Sequence, residues 1–155
     1  MPKTIISVRN LVKDYGDFRA VNHISFDVYE GEIFGLLGPN GAGKSTTLEI
    51  IETLREKSGG EVNVDGFDLD KFPQEIKKII GVQLQTSGFY PNLNLIELLH
   101  LFGGLYNRPV DAMELLKKVN LEDKAKNKSK ELSGGQKQRF TIATTLINRP
   151  RIIPG

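Results

Sequence analysis

Residues 38–46 constrain this chain more than any other stretch. They read GPNGAGKST and fit the pattern G-x-x-x-x-G-K-[ST] at every position. The short apolar run at residues 32–37 predicts a buried strand before them. Behind them, Leu48, Ile51 and Leu54 recur at helical spacing. The sequence therefore predicts a strand, a glycine-rich loop and a helix in that order, which is the context this motif requires.

The residue types of this loop suit it to hold a polyphosphate. Its glycines let the backbone bend so that consecutive N–H groups point inward, at a helix N-terminus whose dipole favours anions. Lys44 supplies a positive charge for the outer phosphates, and Ser45 supplies a hydroxyl for Mg²⁺. A glycine-rich turn that binds nothing is the alternative. The predicted nucleotide-binding residues of the loop are Gly38, Pro39, Asn40, Gly41, Ala42, Gly43, Lys44, Ser45 and Thr46.

Composition narrows the class of protein. The length of 155 residues suits one domain, and 39% hydrophobic with 26% charged residues is typical of a soluble globular chain. A balance of 21 basic against 19 acidic residues gives a net charge of +2, which favours neither nucleic acid nor a membrane surface as partner. The chain has no cysteine, so disulfides and thiolate metal sites are excluded. We find no signal peptide and no apolar run of the ~20 residues that span a membrane, which predicts a cytoplasmic protein.

Two single residues are further candidates for the site. Tyr15 lies in a turn between strands predicted at residues 4–12 and 22–30, and a loop aromatic can stack on a base. Gln85 follows an apolar run that predicts a buried strand from residue 78, and its amide oxygen can reach a bound metal. The pattern alone favours a partly buried tyrosine and a solvated glutamine.

A second glycine-rich stretch precedes the last predicted helix. Ser133, Gly134, Gly135 and Gln136 lead into an amphipathic pattern, and the serine and glutamine have the spacing of a capping box. The same helix start is also open to a phosphate. Residue chemistry leaves both interpretations open. Helical periodicity at residues 94–106 and 111–119 predicts two more helices upstream.

Together these residues resemble the nucleotide-binding domain of ABC transporters. Residues 132–136 match the family's LSGGQ signature, while Tyr15 and Gln85 stand where the family has its adenine-stacking aromatic and its Q-loop glutamine. The resemblance runs from about residue 4 to residue 153, and looks most like bacterial ATPases that serve drug, antibiotic or lipid exporters. It implies ATP as the ligand, with Mg²⁺ held by Ser45 and Gln85.

The resemblance also implies an α/β fold, with a P-loop NTPase core around a parallel sheet, an antiparallel β subdomain and an α-helical subdomain. The implied division is 1–31 and 56–70 for the antiparallel region, 32–55, 71–87 and 139–155 for the core, and 88–138 for the helical subdomain with the signature.

The function implied by the resemblance is that of a transporter subunit. It would couple ATP binding and hydrolysis to transport, with export as the expected direction, through separate membrane subunits at the inner face of the cell membrane. Two copies would form a homodimer in which residues 133–136 of one contact the phosphate bound by the other. Nucleic acid is not an expected partner.

The sequence departs from the family where Ile152 and Ile153 are followed by Pro154 and Gly155. At this point the family has an Asp that helps to hold Mg²⁺ and a Glu that polarises water. Neither of the two histidines of this sequence stands at the family's switch position. We therefore expect no residue for water activation in these 155 residues, little turnover, low stability and self-association.

Other readings remain open from the residues. One is a fragment that binds nucleotide without hydrolysis. Another is a GTPase or kinase, although residues 127–130 lack the Asp of N-K-x-D and a kinase does not need the signature. Signature-bearing DNA-repair relatives are disfavoured because heptads and cysteines are absent.

Overall fold

The computed structural model describes residues 1–81 and 88–154. The chain divides into two compact units, residues 1–78 and 79–155. The first holds β1 (Thr4–Tyr15), β2 (Phe18–Tyr29), α1 (Lys44–Ile51), β3 (Gly59–Val64) and β4 (Phe67–Asp68), and α2 (Pro73–Ile79) ends at the boundary. The second holds α3 (Leu95–Leu105), α4 (Ala112–Lys118), α5 (Gly134–Leu146) and 3-10 turns at Glu122–Lys124 and Ser129–Glu131.

The first unit is built on an antiparallel sheet with strand order β2-β1-β3-β4. Val8 of β1 lies opposite Phe26 of β2 and Val62 of β3, which fixes the register of the three long strands. Val8 and Val62 are buried, as expected where alternating side chains face a core. Both strands predicted from alternation at residues 4–12 and 22–30 are therefore confirmed, and both are longer than predicted.

The buried strand predicted at residues 32–37 is wrong for this structure. None of these residues is in a strand, and the side chains of Ile33 and Leu37 are exposed at 101% and 96%. A parallel strand is stable only when neighbouring strands take up its N–H and C=O groups. Within residues 1–81 and 88–154 no strand pairs with this run. Its one recorded ring contact is Phe34, stacked on Phe26 with centroids 5.0 Å apart.

The strand predicted from residue 78 is wrong at its start. Lys78 and Ile79 close helix α2, because the 3.6-residue pattern of this helix continues to the boundary. Ile80 then forms an isolated parallel bridge with Ile152, and the N–H of Gly81 donates to the carbonyl of Ile152 at 2.8 Å. Gln85 lies outside the described residues.

The second unit is a small helical bundle whose helices were predicted from periodicity. Helix α3 begins with a capping box, in which the Glu97 N–H donates to Asn94 Oδ1 at 2.9 Å and the Asn94 N–H donates to Glu97 Oε2 at 2.8 Å. Phe140 of α5 is fully buried, and the ring of Phe89 packs on it edge-on at 4.9 Å. The buried core of this unit comprises Leu95, Leu98, Leu99, Ala112, Leu116, Val119, Leu121, Ala125, Leu132, Phe140, Ala143 and Ile147.

Gly60 and Gly66 allow a direct test of the packing of β3 on β1. Both have positive φ, at +84° and +87°, but a Cβ on Gly60 would lie 2.3 Å from the Asn10 carbonyl oxygen while Gly66 faces open space. We expect Gly66→Ala to lower the free energy of unfolding by about 1–2 kcal/mol for the backbone conformation alone. Gly60→Ala should lower it further because β1 must move. Equal losses in denaturant unfolding would contradict this packing.

Candidate functional site

The glycine-rich loop is shaped by its contact with β2. Helix α1 begins at Lys44 directly after Gly43, which has a φ of +80°, and Gly41 has a φ of +84°. A Cβ on Gly43 would lie 2.3 Å from the Ala20 carbonyl oxygen, so only glycine fits at this position. No side chain caps this helix start, so the N–H groups of its first turn are open to a ligand.

The side chain of Lys44 bonds to the backbone of its own loop. Its Nζ donates to the carbonyl oxygens of Gly38 and Pro39, the latter at 2.8 Å. The Ala42 N–H donates to the same Pro39 carbonyl at 3.1 Å, and Thr47 donates to the Gly43 carbonyl through both its N–H and its Oγ1. The ammonium is therefore held beside the loop, where an anion can exchange carbonyl contacts for stronger charge-assisted hydrogen bonds.

A cleft of about 290 Å³ joins the loop to the first two strands. It brings Tyr15 of β1 together with six of the nine predicted loop residues, which are Asn40, Gly41, Gly43, Lys44, Ser45 and Thr46. The other three, Gly38, Pro39 and Ala42, shape the loop around Lys44 instead. The volume lies at the lower end of the range of small-molecule pockets.

Two residues of the cleft were missed by sequence reasoning. Phe18 and Ala20 of β2 also line it, and Phe18 is 61% exposed. A signal for Phe18 did exist, because an exposed aromatic that follows the turn after Tyr15 is brought back beside it by the antiparallel pairing of β1 with β2. Ala20 has no such signal, since its role comes from its backbone carbonyl against Gly43.

The second glycine-rich stretch lies in the other unit, at the start of α5. The Ser133 N–H donates to Gln136 Oε1 at 2.9 Å and the Gln136 N–H donates to Ser133 Oγ at 3.3 Å, so the capping box is confirmed. Gly134 and Gly135 are exposed, and a Cβ on either would meet nothing within 4 Å. Leu132 is buried in the helical core and anchors this start. The anion-binding interpretation stays a prediction.

The metal prediction rests on one described residue. Ser45 is exposed in the cleft, next to Lys44. In the part of the chain that the structure describes, no group of three His, Cys, Asp or Glu side chains is arranged to hold a metal ion. A hydroxyl is a hard oxygen ligand that suits Mg²⁺ when phosphate oxygens complete the shell, so the residues fit a nucleotide-bound Mg²⁺ better than an all-protein site.

A buried acid, Glu52, directly follows the last residue of helix α1. Burial raises the pKa of Glu52 to about 7, and the neighbouring Glu49 carboxylate adds to the rise. In two aspartates of the same unit the pKa shifts in the opposite direction. The hydrogen bond from Arg19 lowers the pKa of Asp14, and that from Arg9 lowers the pKa of Asp27.

Comparison with known proteins identifies the family. A protein-family model described as ABC transporter matches residues 21–153. The chain belongs to the ABC transporter family. The match covers the glycine-rich loop at residues 38–46, the capping box of α5 and the helices between them, so this ABC chain carries both glycine-rich elements within its family region.

Two curated relatives show the range of named functions. "Linearmycin resistance ATP-binding protein LnrL" of Bacillus subtilis is 37% identical over 96% of the ABC chain and 50% of its own length. "Spermidine/putrescine import ATP-binding protein PotA" of Haemophilus ducreyi is 33% identical over 97% of the chain and 42% of its own length. The chain spans about half the length of the curated relatives it matches.

A solved structure confirms the fold class. The dimeric structure of a post-hydrolysis state of the ATP-binding cassette MJ0796 bound to ADP and Pi is 33% identical, with a TM-score of 0.79. The alignment covers 96% of the ABC chain and 72% of that chain, so the fold is that of a P-loop NTPase cassette. Among the helices within residues 1–81 and 88–154, none has the length and apolar character needed to cross a membrane.

Glu52 gives the first unit a specific pH dependence. The unfolded chain releases this proton near pH 4.5, whereas the folded chain holds it up to about pH 7. The free energy of unfolding should therefore fall as pH rises through this window and level off above it. Glu52→Gln should flatten that fall in thermal melts from pH 5 to 8, and the exposed Glu56→Gln should not. An unchanged pH profile in Glu52→Gln would contradict the assignment.

Proposed function

We propose that this chain binds ATP at residues 38–46, with the base against Tyr15, as the nucleotide-binding part of an ABC transporter ATPase. The observation that carries the proposal is the cleft that places Tyr15 beside Lys44 and Ser45. An aromatic ring, an ammonium and an open helix N-terminus at one cleft match the base and the phosphates of a nucleotide. The MJ0796 relative, bound to ADP and Pi, supports the same ligand class.

Each residue has a distinct task in this proposal. The first turn of α1 offers N–H groups without intrahelical partners to the phosphates, and Lys44 leaves the Gly38 and Pro39 carbonyls to contact the outer ones. Ser45 and Gln85 are the residues that would hold Mg²⁺. When bound, Mg²⁺ neutralises phosphate charge.

We further propose that the complete protein dimerises and drives transport through separate membrane subunits at the inner face of the membrane. Ser133, Gly134, Gly135 and Gln136 of one copy would contact the outer phosphate bound by the other. Their exposure at the start of α5, with open space above both glycines, supports this role. Export is the direction we propose, in keeping with the resemblance of the sequence to ATPases that serve exporters. ATP hydrolysis is proposed for the complete protein, and residues 88–138 would form its helical subdomain.

Lys44→Ala tests the nucleotide site. Loss of a hydrogen bond to a charged group is worth about 1.5–3 kcal/mol, so ATP affinity should fall roughly tenfold to a hundredfold. Calorimetric titration of ATP measures it. Lys3→Ala is the matched control, because this lysine pairs with Asp65 on the sheet and lies outside the cleft. Equal ATP affinity of Lys44→Ala and the unaltered chain would overturn the assignment.

Gly135→Asp tests the contact between copies. The new carboxylate would face the bound phosphate of the other copy, so ATP-dependent dimerisation should be lost while ATP binding to the monomer is kept. Open space around Gly135 means that the fold tolerates the change. Sedimentation with and without ATP gives the oligomeric state, and Gly135→Ala is the uncharged control. Dimerisation of Gly135→Asp at the usual ATP concentration would rule out this arrangement.

A further inference from the structure

We propose that Arg55 is a positioning residue for base recognition, and that its ion pair with Glu49 holds the Tyr15 ring in place at the cleft. The inference rests on the proposed function, because it deepens the role of Tyr15 in the same site. It assigns a task to a residue that follows helix α1 and that does not line the cleft itself.

Two cations lie against the Tyr15 ring. The guanidinium carbon of Arg55 is 5.5 Å from the ring centroid, and Nζ of Lys13 is 5.1 Å from it. Both distances are within the range of cation–π attraction. The planar guanidinium can stack on a ring face, whereas the lysine ammonium is a point charge on a flexible stem.

Arg55 is tied to Glu49 by both side chain and backbone. Its Nε donates to Glu49 Oε2 at 2.6 Å, and the N–H groups of Leu54 and Arg55 both donate to the Glu49 carbonyl, at 2.8 and 3.2 Å. The two backbone hydrogen bonds therefore fix the turn that follows α1, and the side-chain bond to Glu49 fixes the guanidinium of Arg55. Arg55 can hold the ring because its own position is set by the helix.

Tyr15 needs such support because it stands at the end of a strand. It is the last residue of β1, it is 41% exposed, and Gly16 follows it at a φ of +58°. A half-exposed aromatic in this position loses rotamer freedom when it stacks on a ligand, which weakens binding. A guanidinium packed on the ring reduces that loss before the ligand arrives.

Helix α1 is therefore linked to both ends of the proposed ligand, directly at the phosphates and through Arg55 and Tyr15 at the base. Its N-terminus provides Lys44 and Ser45 to the phosphates, and Glu49 in its middle holds Arg55 against the base platform. The orientation of one eight-residue helix sets both contacts. Base recognition and phosphate recognition are then coupled through a rigid element.

The experiment compares ATP with tripolyphosphate, which has the phosphates and no base. Arg55→Ala should weaken ATP binding about two- to fivefold, the effect of one exposed cation–π contact, and leave tripolyphosphate binding unchanged. Arg9→Ala is the matched control. Arg9 also pairs with a carboxylate, at 2.7 Å from Asp27, but the cations on the Tyr15 ring are Lys13 and Arg55. Arg9→Ala should leave the affinities for ATP and for tripolyphosphate unchanged. Arg55→Lys, which keeps the charge without the plane, should restore part of the ATP affinity.

A second arm uses the Tyr15→Ala background, where Arg55→Ala should cause no further loss of ATP affinity. Thermal melts of each variant check that the fold is kept. Equal weakening of ATP and tripolyphosphate, the same loss with and without Tyr15, or unchanged ATP affinity in Arg55→Ala would each overturn the inference alone. An unaltered chain that binds neither ligand would overturn the proposed function and the inference with it.

Discussion

The close contact between Gly43 and the carbonyl of Ala20 is the constraint on which the site depends. A Cβ at this position would lie 2.3 Å from that oxygen, so the loop can pack against β2 only if residue 43 is glycine. The contact sets where α1 begins, and α1 in turn sets the positions of Lys44 and Ser45. It also joins the loop to the sheet that carries Tyr15, because Ala20 and Tyr15 lie on paired strands. One backbone approach thus brings residues 15–20 and 40–46 to a single cleft.

The local parts of the site could be predicted from sequence because they depend on neighbours in the chain. The helix after the glycines, the capping box of Ser133 and Gln136, and the alternating strands each follow from short-range geometry and are confirmed. The helix is shorter than predicted, because it ends at Ile51 and leaves Leu54 exposed in the turn that follows. The strand predicted at residues 32–37 is wrong because it depends on contacts with distant parts of the chain. Its apolar composition matches a buried strand, but burial requires partners from distant parts of the chain, and no described strand provides them.

The contact between Arg55 and Tyr15 could not be predicted from the sequence for the same reason. Forty residues separate it from Tyr15, and no periodicity or motif links the two positions. Their contact exists because the sheet and the end of α1 come together, and because Glu49 reaches across the turn. Phe18 was within reach of sequence reasoning, since hairpin pairing places it beside Tyr15. Gln85 lies outside the described residues and stays a prediction, and so do the roles assigned to the loop and the signature.

The contact of Lys44 with its own loop has a consequence for which anions the site admits. Any incoming ligand must compete with the carbonyls of Gly38 and Pro39 for the ammonium. A singly charged ion such as chloride gains little from that exchange, because one weak contact replaces two good ones. A chain of phosphates gains contacts along the whole first turn of α1 as well as at Lys44. At the proposed nucleotide site, the contact of Lys44 with its own loop would therefore favour ligands with several negative charges over small anions such as chloride.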